Sequence, residues 1–406
     1  MRLSTNLFYQ RGLDSLQTSQ ARLDKIQLQL TKQTKILSPA DDPIGNSQVI
    51  ALDEKIAQNE QFKRNSVTLE NNLAREESVI QNIVDTVQRV RALAVQAGNG
   101  SYDQSSRQAI ADELRDIEDA VFDLAVAKDE SGEFIFAGYQ NREQPMVFNS
   151  ATDSYEYVSD DGQRELQLSP TLYLPAGDPG SKLFGTLSQR ADIDVTGDNA
   201  LVDKITISNR DDLTQFAQTR FDAGDSTDMI VNFTAADEYQ IEDGDGNVLQ
   251  GATAFTPGDD ITFNGVTFNT AVNQTPVAGE TIEYSLQEPV SRNLLTQISD
   301  LADALENSGD DKGLYESELS FALEDLDKGI GQLTDVQAGV GSRLNVLQDA
   351  RLSNEDFTIV NKKARADIAD VDYSTAITDL LKNETIYSAS QQIFSRVSRL
   401  SLFDYL

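Results

Sequence analysis

Leucine recurs at every seventh position through Leu16, Leu23, Leu30 and Leu37, with Leu13 and Ile26 beside the row, and residues 13–38 contain neither glycine nor proline. A sustained apolar period of this kind predicts one amphipathic helix. Pro39 ends it. Asp42 then offers an N-cap carboxylate, and Pro43 a residue whose missing N–H costs nothing in a first turn, so a second helix is predicted from Pro43. That helix carries two interleaved heptad rows, Leu73, Ile80, Val87, Ala94 and Phe62, Leu69, Ile83, Val90, Ala97, interrupted by polar Asn59, Ser66 and Glu76. Alternating spacings of three and four make a coiled-coil seam. It runs to the Gly98-Asn99-Gly100 stop, and at 1.5 Å per residue such a helix is about 80 Å long, which implies a rod.

Ile110, Leu114, Ile117, Val121 and Leu124 continue the helical period to a turn at 129–132. Between residues 145 and 288 the pattern changes. Proline and glycine cluster, and Val, Ile, Thr, Tyr and Phe alternate with polar residues, which predicts strands. Tyr155 to Val158 before Asp160-Asp161-Gly162 reads as a hairpin, as do Ile261-Thr262-Phe263 and Val266-Thr267-Phe268 around a type I′ Asn264-Gly265 turn. Helical rows return with Leu294, Ile298, Leu301 and Leu305. A second seam follows, with Leu319, Leu326, Leu333, Val340, Leu347 in one row and Leu323, Ile330, Leu344 in the other. A break near 370–372 precedes a last helix bearing Ile377, Leu380, Ile386, Tyr387, Ile393, Val397 and Leu400.

This order is nearly palindromic, so each seam of the first half finds its partner in the second if the chain folds back on itself. The expected architecture is mainly α with a β-rich insert: an elongated rod of long antiparallel coiled-coil helices, both terminal helices at one end and the β domain at the other. The expected divisions are a terminal helical domain of 1–42 with 365–406, a long-helix rod of 43–144 with 289–364, and an outer β domain of 145–288. The last residues, Leu402, Phe403 and Leu406 among them, are apolar where a free terminus is usually polar, which suggests burial in an assembly.

Composition narrows function further. Lys and Arg number 33 against 67 Asp and Glu, a net charge of −34, and the insert at 145–288 holds 25 acidic and 6 basic residues. That balance repels phosphate backbones and anionic lipid, so neither nucleic acid nor a membrane is an expected partner. The chain has no cysteine, histidine or tryptophan, which removes thiol nucleophiles, Cys/His zinc sites and histidine triads. No cofactor and no metal is expected. Asp243-Gly244-Asp245-Gly246-Asn247 imitates the start of an EF-hand, but Val248 stands where that loop needs glycine and Ala254 where it needs glutamate. Asp41-Asp42 and Asp160-Asp161 are explained by capping and turns. Carboxylate-based hydrolysis stays open only because acidic residues are abundant; no pair is singled out.

Several stretches carry a resemblance. MRLSTNLFYQ at the start, SPADDPIGN (38–46) with Asp41, Asp42 and Pro43, Arg64-Asn65, VQRVRALAVQAGNG (87–100), GEFIFAGYQ (132–140) with Phe136, Ala137 and Gly138, GSRLN (341–345) and the closing SLFDYL resemble the bacterial flagellin superfamily. The Phe136-Ala137-Gly138 motif and the SLFDYL ending are similar to its hook-filament junction members. The likeness covers roughly the first 140 and last 115 residues and leaves out the insert.

The resemblance implies a structural axial protein, exported by the flagellar type III apparatus without a cleaved signal and placed outside the cell. Its implied partners are like copies in a ring, the first hook-associated protein, flagellin, and an export chaperone at the C-terminal helix. The expected assembly interface is Leu16, Leu23, Leu30, Leu37, Ile386, Ile393, Val397, Leu400, Leu402, Phe403 and Leu406. A divergent filament flagellin and a secreted coiled-coil adhesin, with the acidic insert as its binding head, are the alternatives.

Overall fold

The computed structural model describes every residue except Met1, 100–101, 151, 197–200, 308–311 and 404–406. Its helices are α1 (Arg2–Lys32), α2 (Pro43–Ala97), α3 (Gln104–Ala125), α4 (Arg210–Ala223), α5 (Leu294–Asn307), α6 (Lys312–Ala369) and α7 (Tyr373–Phe403). The chain divides into two compact units. Unit 1 comprises Met1–Val67, Gln167–Leu172 and Leu347–Leu406; unit 2 comprises Thr68–Leu166 and Tyr173–Val346.

The seams do what their spacing predicts. Leu69, Leu73, Ile80, Ile83, Val87, Val90, Ala94 and Ala97 of α2 are buried, as are Leu319, Leu326, Leu333, Val340 and Leu347 of α6. Cross-links fix an antiparallel register. In unit 2, Arg91 pairs with Asp327 and Gln81 Oε1 accepts from Gln337 Nε2; in unit 1, Lys63 pairs with Glu355, Lys362 with Glu60 and Arg365 with Asp53. Residue numbers fall on α6 as they rise on α2. Exposed ion pairs add little energy, so apolar burial holds the helices and the charges select the register.

Within α6 the glycines separate into two kinds. A Cβ on Gly329 would come within 2.8 Å of Leu294 Cδ1, whereas one on Gly331, Gly339 or Gly341 would meet nothing within 4 Å. Helix-interior glycine costs about 0.5–1 kcal/mol against alanine. Gly331→Ala, Gly339→Ala and Gly341→Ala are therefore each expected to stabilise the fold by about that amount in urea melts. Gly329→Ala is the contrasting case and should give no gain.

The insert is β-rich as expected. A five-stranded antiparallel sheet runs in the order Val248–Ala254, Glu238–Asp243, Asp228–Ala235, Thr281–Leu286, Ile193–Thr196, beside a three-stranded sheet of Asp260–Phe263, Val266–Thr270 and Val202–Ile207. Their core is Met229, Val231, Phe233, Ile241, Phe268 and Tyr284 with neighbours. The Asn264-Gly265 hairpin is present, with φ of 42° and 84° and Phe263 opposite Val266.

Three expectations need correction. The strand Ser154–Tyr157 pairs backward with Met146–Asn149 instead of forming a hairpin across 160–162. Helix α4 lies inside the region read as strands; its signal was Asn209, whose side chain caps Asp211 and Asp212 N–H, and the αL stop at Gly224. Finally, α1 stops at Lys32 because Gln33 turns left-handed (φ 57°) and Thr34 bridges Asp370. Leu37 therefore follows the helix and does not extend its row.

Candidate assembly interface

Helix α1 lies antiparallel to α7, with the Tyr9 and Phe394 rings 5.0 Å apart at one end and the Thr34–Asp370 bridge at the other. Phe394 fits because position 12 is glycine; a Cβ there would stand 3.1 Å from its ring. On α1 the better-covered positions are Gly12, Leu16, Ser19, Leu23, Ile26 and Leu30, a three-four alternation. On α7 they are Leu380, Asn383, Tyr387, Ser390 and Phe394. That seam mixes apolar and polar residues, and it covers its leucines only by half.

The predicted interface residues thus separate. Leu16, Leu23 and Leu30 face α7 and are half-buried, as is Leu37 in the turn. Ile386 and Ile393 point away from the pair and are 44% and 63% exposed. Of Val397, Leu400, Leu402 and Phe403 only the helical backbone is described, and Leu406 lies outside the described residues. Among described side chains no α1 residue is buried, and on α7 only Ala376 is. The heptad rows did not single out Phe357 and Val360 of α6 in the same unit, which are 59% and 61% exposed. They sit off the heptad row, and their signal was large apolar residues on a face otherwise reserved for solvent.

The turns at the foot of this pair explain one motif. Asp41 accepts from Leu37 and Ser38 N–H at 3.1 and 3.0 Å and from Lys25 Nζ. The lysine first, then these amides, hold its carboxyl below the usual range. Asp42 Oδ1 accepts from Gly45 N–H at 2.8 Å, capping α2 with Pro43 as its first residue. The facing turn is tied in by Lys35 N–H and Thr34 Oγ1, both donating to Ala369 O at 2.8 Å. Arg64 is exposed on α2. Asn65 Nδ2 donates to Gln167 O at 2.8 Å, and Asn354 Nδ2 to Leu168 O at 2.7 Å. Two amides thus clamp a loop whose Leu168 is fully buried. These residues build the scaffold and present no reactive group.

In unit 2 the motif Phe136-Ala137-Gly138 is a packing knot. Phe136 is buried edge-on to Phe184 at 6.3 Å, and Ala137 O accepts from Ser159 Oγ at 2.7 Å. Gly138 has φ 60°, and a Cβ there would overlap the Asp160 carbonyl oxygen. Asp160 in turn accepts from Tyr139, Gln140 and Gly162 N–H at 2.9, 3.0 and 2.7 Å, which keeps its carboxyl ionised below the ordinary range. Asp243, first of the EF-hand-like run, accepts from Arg220 Nη2 at 2.7 Å and from Asn247 N–H at 2.8 Å. Burial pushes against ionisation there, yet Asn247 and Arg220 bring the carboxyl down to about 2. Its lone pairs serve the turn.

Sequence reasoning noted Glu76 only as an interruption of the seam. It is fully buried. Its Oε1 accepts from Asp178 N–H at 2.8 Å, and Arg343, inside the GSRLN motif, pairs with Asp178 and stands 4.0 Å from Glu76 Oε2. Lys182 and Gln163 complete the cluster at 2.9 and 2.7 Å from Asp178. A glutamate at a seam position was the available signal, since a buried carboxylate demands a cation.

The helical flanks match two family models: the bacterial flagellin N-terminal helical region over residues 3–141 and the C-terminal helical region over 323–406. Between them they span over half of the chain. It belongs to the bacterial flagellin superfamily. Flagellar hook-associated protein 3 of Escherichia coli K12 is 22% identical over 403 residues, 99% of each chain. Its Salmonella typhimurium counterpart is 29% identical over 191 residues, which are 47% of this chain and 59% of that protein. The match to the Salmonella protein therefore spans less than two thirds of its length. Among solved structures, the flagellar junction protein FlgL from Legionella pneumophila shares the fold with a TM-score of 0.53 and 22% identity, over 79% of this chain and 99% of that one. The flagellin-like fold is thus established: paired terminal helices and a β-rich insert between long helices.

Proposed function

We propose that this protein is a structural subunit of the bacterial flagellum that works as the adaptor between hook and filament. It is an assembly component and not an enzyme. The observation that carries the reading is the terminal helix pair, which leaves Leu16, Leu23 and Leu30 half-covered and Ile386 and Ile393 in water. Amphipathic helices depend on covering their apolar rows, so this pair is completed by neighbouring subunits. Burial at about 25 cal/mol per Å², less the cost of ordering the helices, drives the association.

The partners in this reading are like copies, the first hook-associated protein and flagellin, with a chaperone on α7 before export. Type III export to an extracellular position follows from the same role. The relatives named hook-associated protein 3 support the junction over a filament subunit. In-frame deletion of the gene in its host, scored by electron microscopy and by immunoblot of the medium, is expected to give hooks without filaments and flagellin lost to the medium. Normal filaments on the deletion strain would refute the role.

A further inference from the structure

The net charge of −34 is confined to one part of the molecule. Unit 1 contains 16 acidic and 16 basic residues and is neutral; unit 2 holds the other 51 acidic and 17 basic residues, hence the entire excess. The neutral unit leaves Ile377, Leu381, Ile386 and Ile393 of α7 and Phe357 and Val360 of α6 exposed, a concentration on two helices. In unit 2, Tyr139, Val248, Val272 and Val277 are exposed as well, on loops and strands. Inside unit 2 the arginines are already engaged: Arg190 and Arg210 with Glu318, Arg292 with Asp300, Arg220 with Asp243, Arg343 with Asp178. These five arginines sit against Glu318, Asp300, Asp243 and Asp178 within the fold, and the excess negative charge faces solvent. Asp116, Asp194, Asp203, Asp237, Asp245 and Asp335 are among those exposed.

We infer that unit 2 is an electrostatic brake on self-association of unit 1, so that free copies of this chain associate only when the charge is screened or offset. The inference rests on the assembly reading above, because the apolar faces of unit 1 supply the attraction. Copies that join through unit 1 bring two strongly acidic units into one particle. The resulting repulsion reaches about 30 Å at 0.01 M salt and about 8 Å at 0.15 M, whereas apolar contact is short-ranged and little affected by moderate salt. Cohesion and repulsion sit in separate segments, so each can be altered without the other. A less acidic partner meets less repulsion on the same faces, which favours mixed contacts over a homopolymer.

The test is sedimentation velocity of the full chain at about 10 mM and about 500 mM NaCl, with the apparent self-association constant expected to tighten roughly tenfold or more as salt screens the charge. A variant with the six exposed aspartates named above changed to lysine cuts the excess of unit 2 from −34 to −22 and should associate more tightly than the wild type at low salt. Adding Ile386→Asp and Ile393→Asp should return both proteins to monomers. Equal association of the wild type at both salts, still abolished by the isoleucine changes, would overturn the brake and leave the assembly reading standing. Association of the lysine variant that survives the isoleucine changes, or its absence under every condition, would overturn both.

Discussion

Arg343→Ala destabilises the fold by about 3–5 kcal/mol, and by more at pH 8 than at pH 5. The side chain is the more buried of two cations at this site, in direct contact with Asp178 and 4.0 Å from Glu76, while the half-exposed Lys182 reaches Asp178 at 2.9 Å. Burial first, and then the charge of Asp178, push Glu76 up to about 7, while Arg343 and the Asp178 N–H pull the other way. A carboxyl raised in the folded state binds a proton that the unfolded chain has released. Stability from this site is therefore complete below the ordinary glutamate value near 4.5 and falls as pH rises toward 7. Without Arg343 the folded value rises further, the window of loss extends upward, and the penalty grows with pH. Urea melts of both proteins at pH 5 and pH 8 read this directly. Equal losses at the two pH values would assign Arg343 a packing role alone. Glu76→Gln should flatten the wild-type slope in part, because Asp300, pushed up to about 6 chiefly by burial, adds a decline of the same sign.

The double change Ile386→Asp and Ile393→Asp abolishes filament attachment and motility while leaving the subunit folded. Both side chains already face water, at 44% and 63% exposure, so a charge there removes almost no intramolecular contact. Surface substitutions of this kind usually shift stability by no more than about 0.5 kcal/mol. In the assembled state the same charges would be buried against neighbours without partners, at a cost of several kcal/mol per subunit. The expected readings are an unchanged urea midpoint, hooks without filaments, and flagellin in the medium. Leu23→Asp is the comparison: it lies on the face toward α7 and should also loosen the α1–α7 pair, visible as lost helicity. A motile double isoleucine variant would show that this face of α7 does not take part in assembly.

Much of this was legible from one-dimensional pattern because helix and hairpin rules are local. The start of α2 at Pro43 and its end at Ala97 follow from a cap, a proline and a glycine stop, each acting over a few residues. The Asn264-Gly265 turn is equally local, since two positive φ values in succession admit few residue types. Long seams were legible for a second reason: a heptad row repeated over many turns has one stable disposition, against another such row. The loop at 136–140 gave no periodic signal, and only the fold shows why Gly138 must yield room to Asp160.

By itself, then, the sequence determined the helices, the register-bearing rows, the β-rich insert, the absence of histidine and cysteine chemistry, and, through its terminal motifs, the family. Tertiary structure alone decided which apolar residues are spoken for. Ile386 and Leu380 are equally apolar on the same helix, yet one faces water and the other faces α1. It likewise decided that Glu76 meets Arg343 across the seam and that the acidic excess belongs to unit 2 while the exposed isoleucines of α7 belong to unit 1. The physical reason is common to all three. Periodicity follows from the 3.6 residues of a helical turn, but burial and charge pairing depend on what lies opposite, and that is a property of the folded chain.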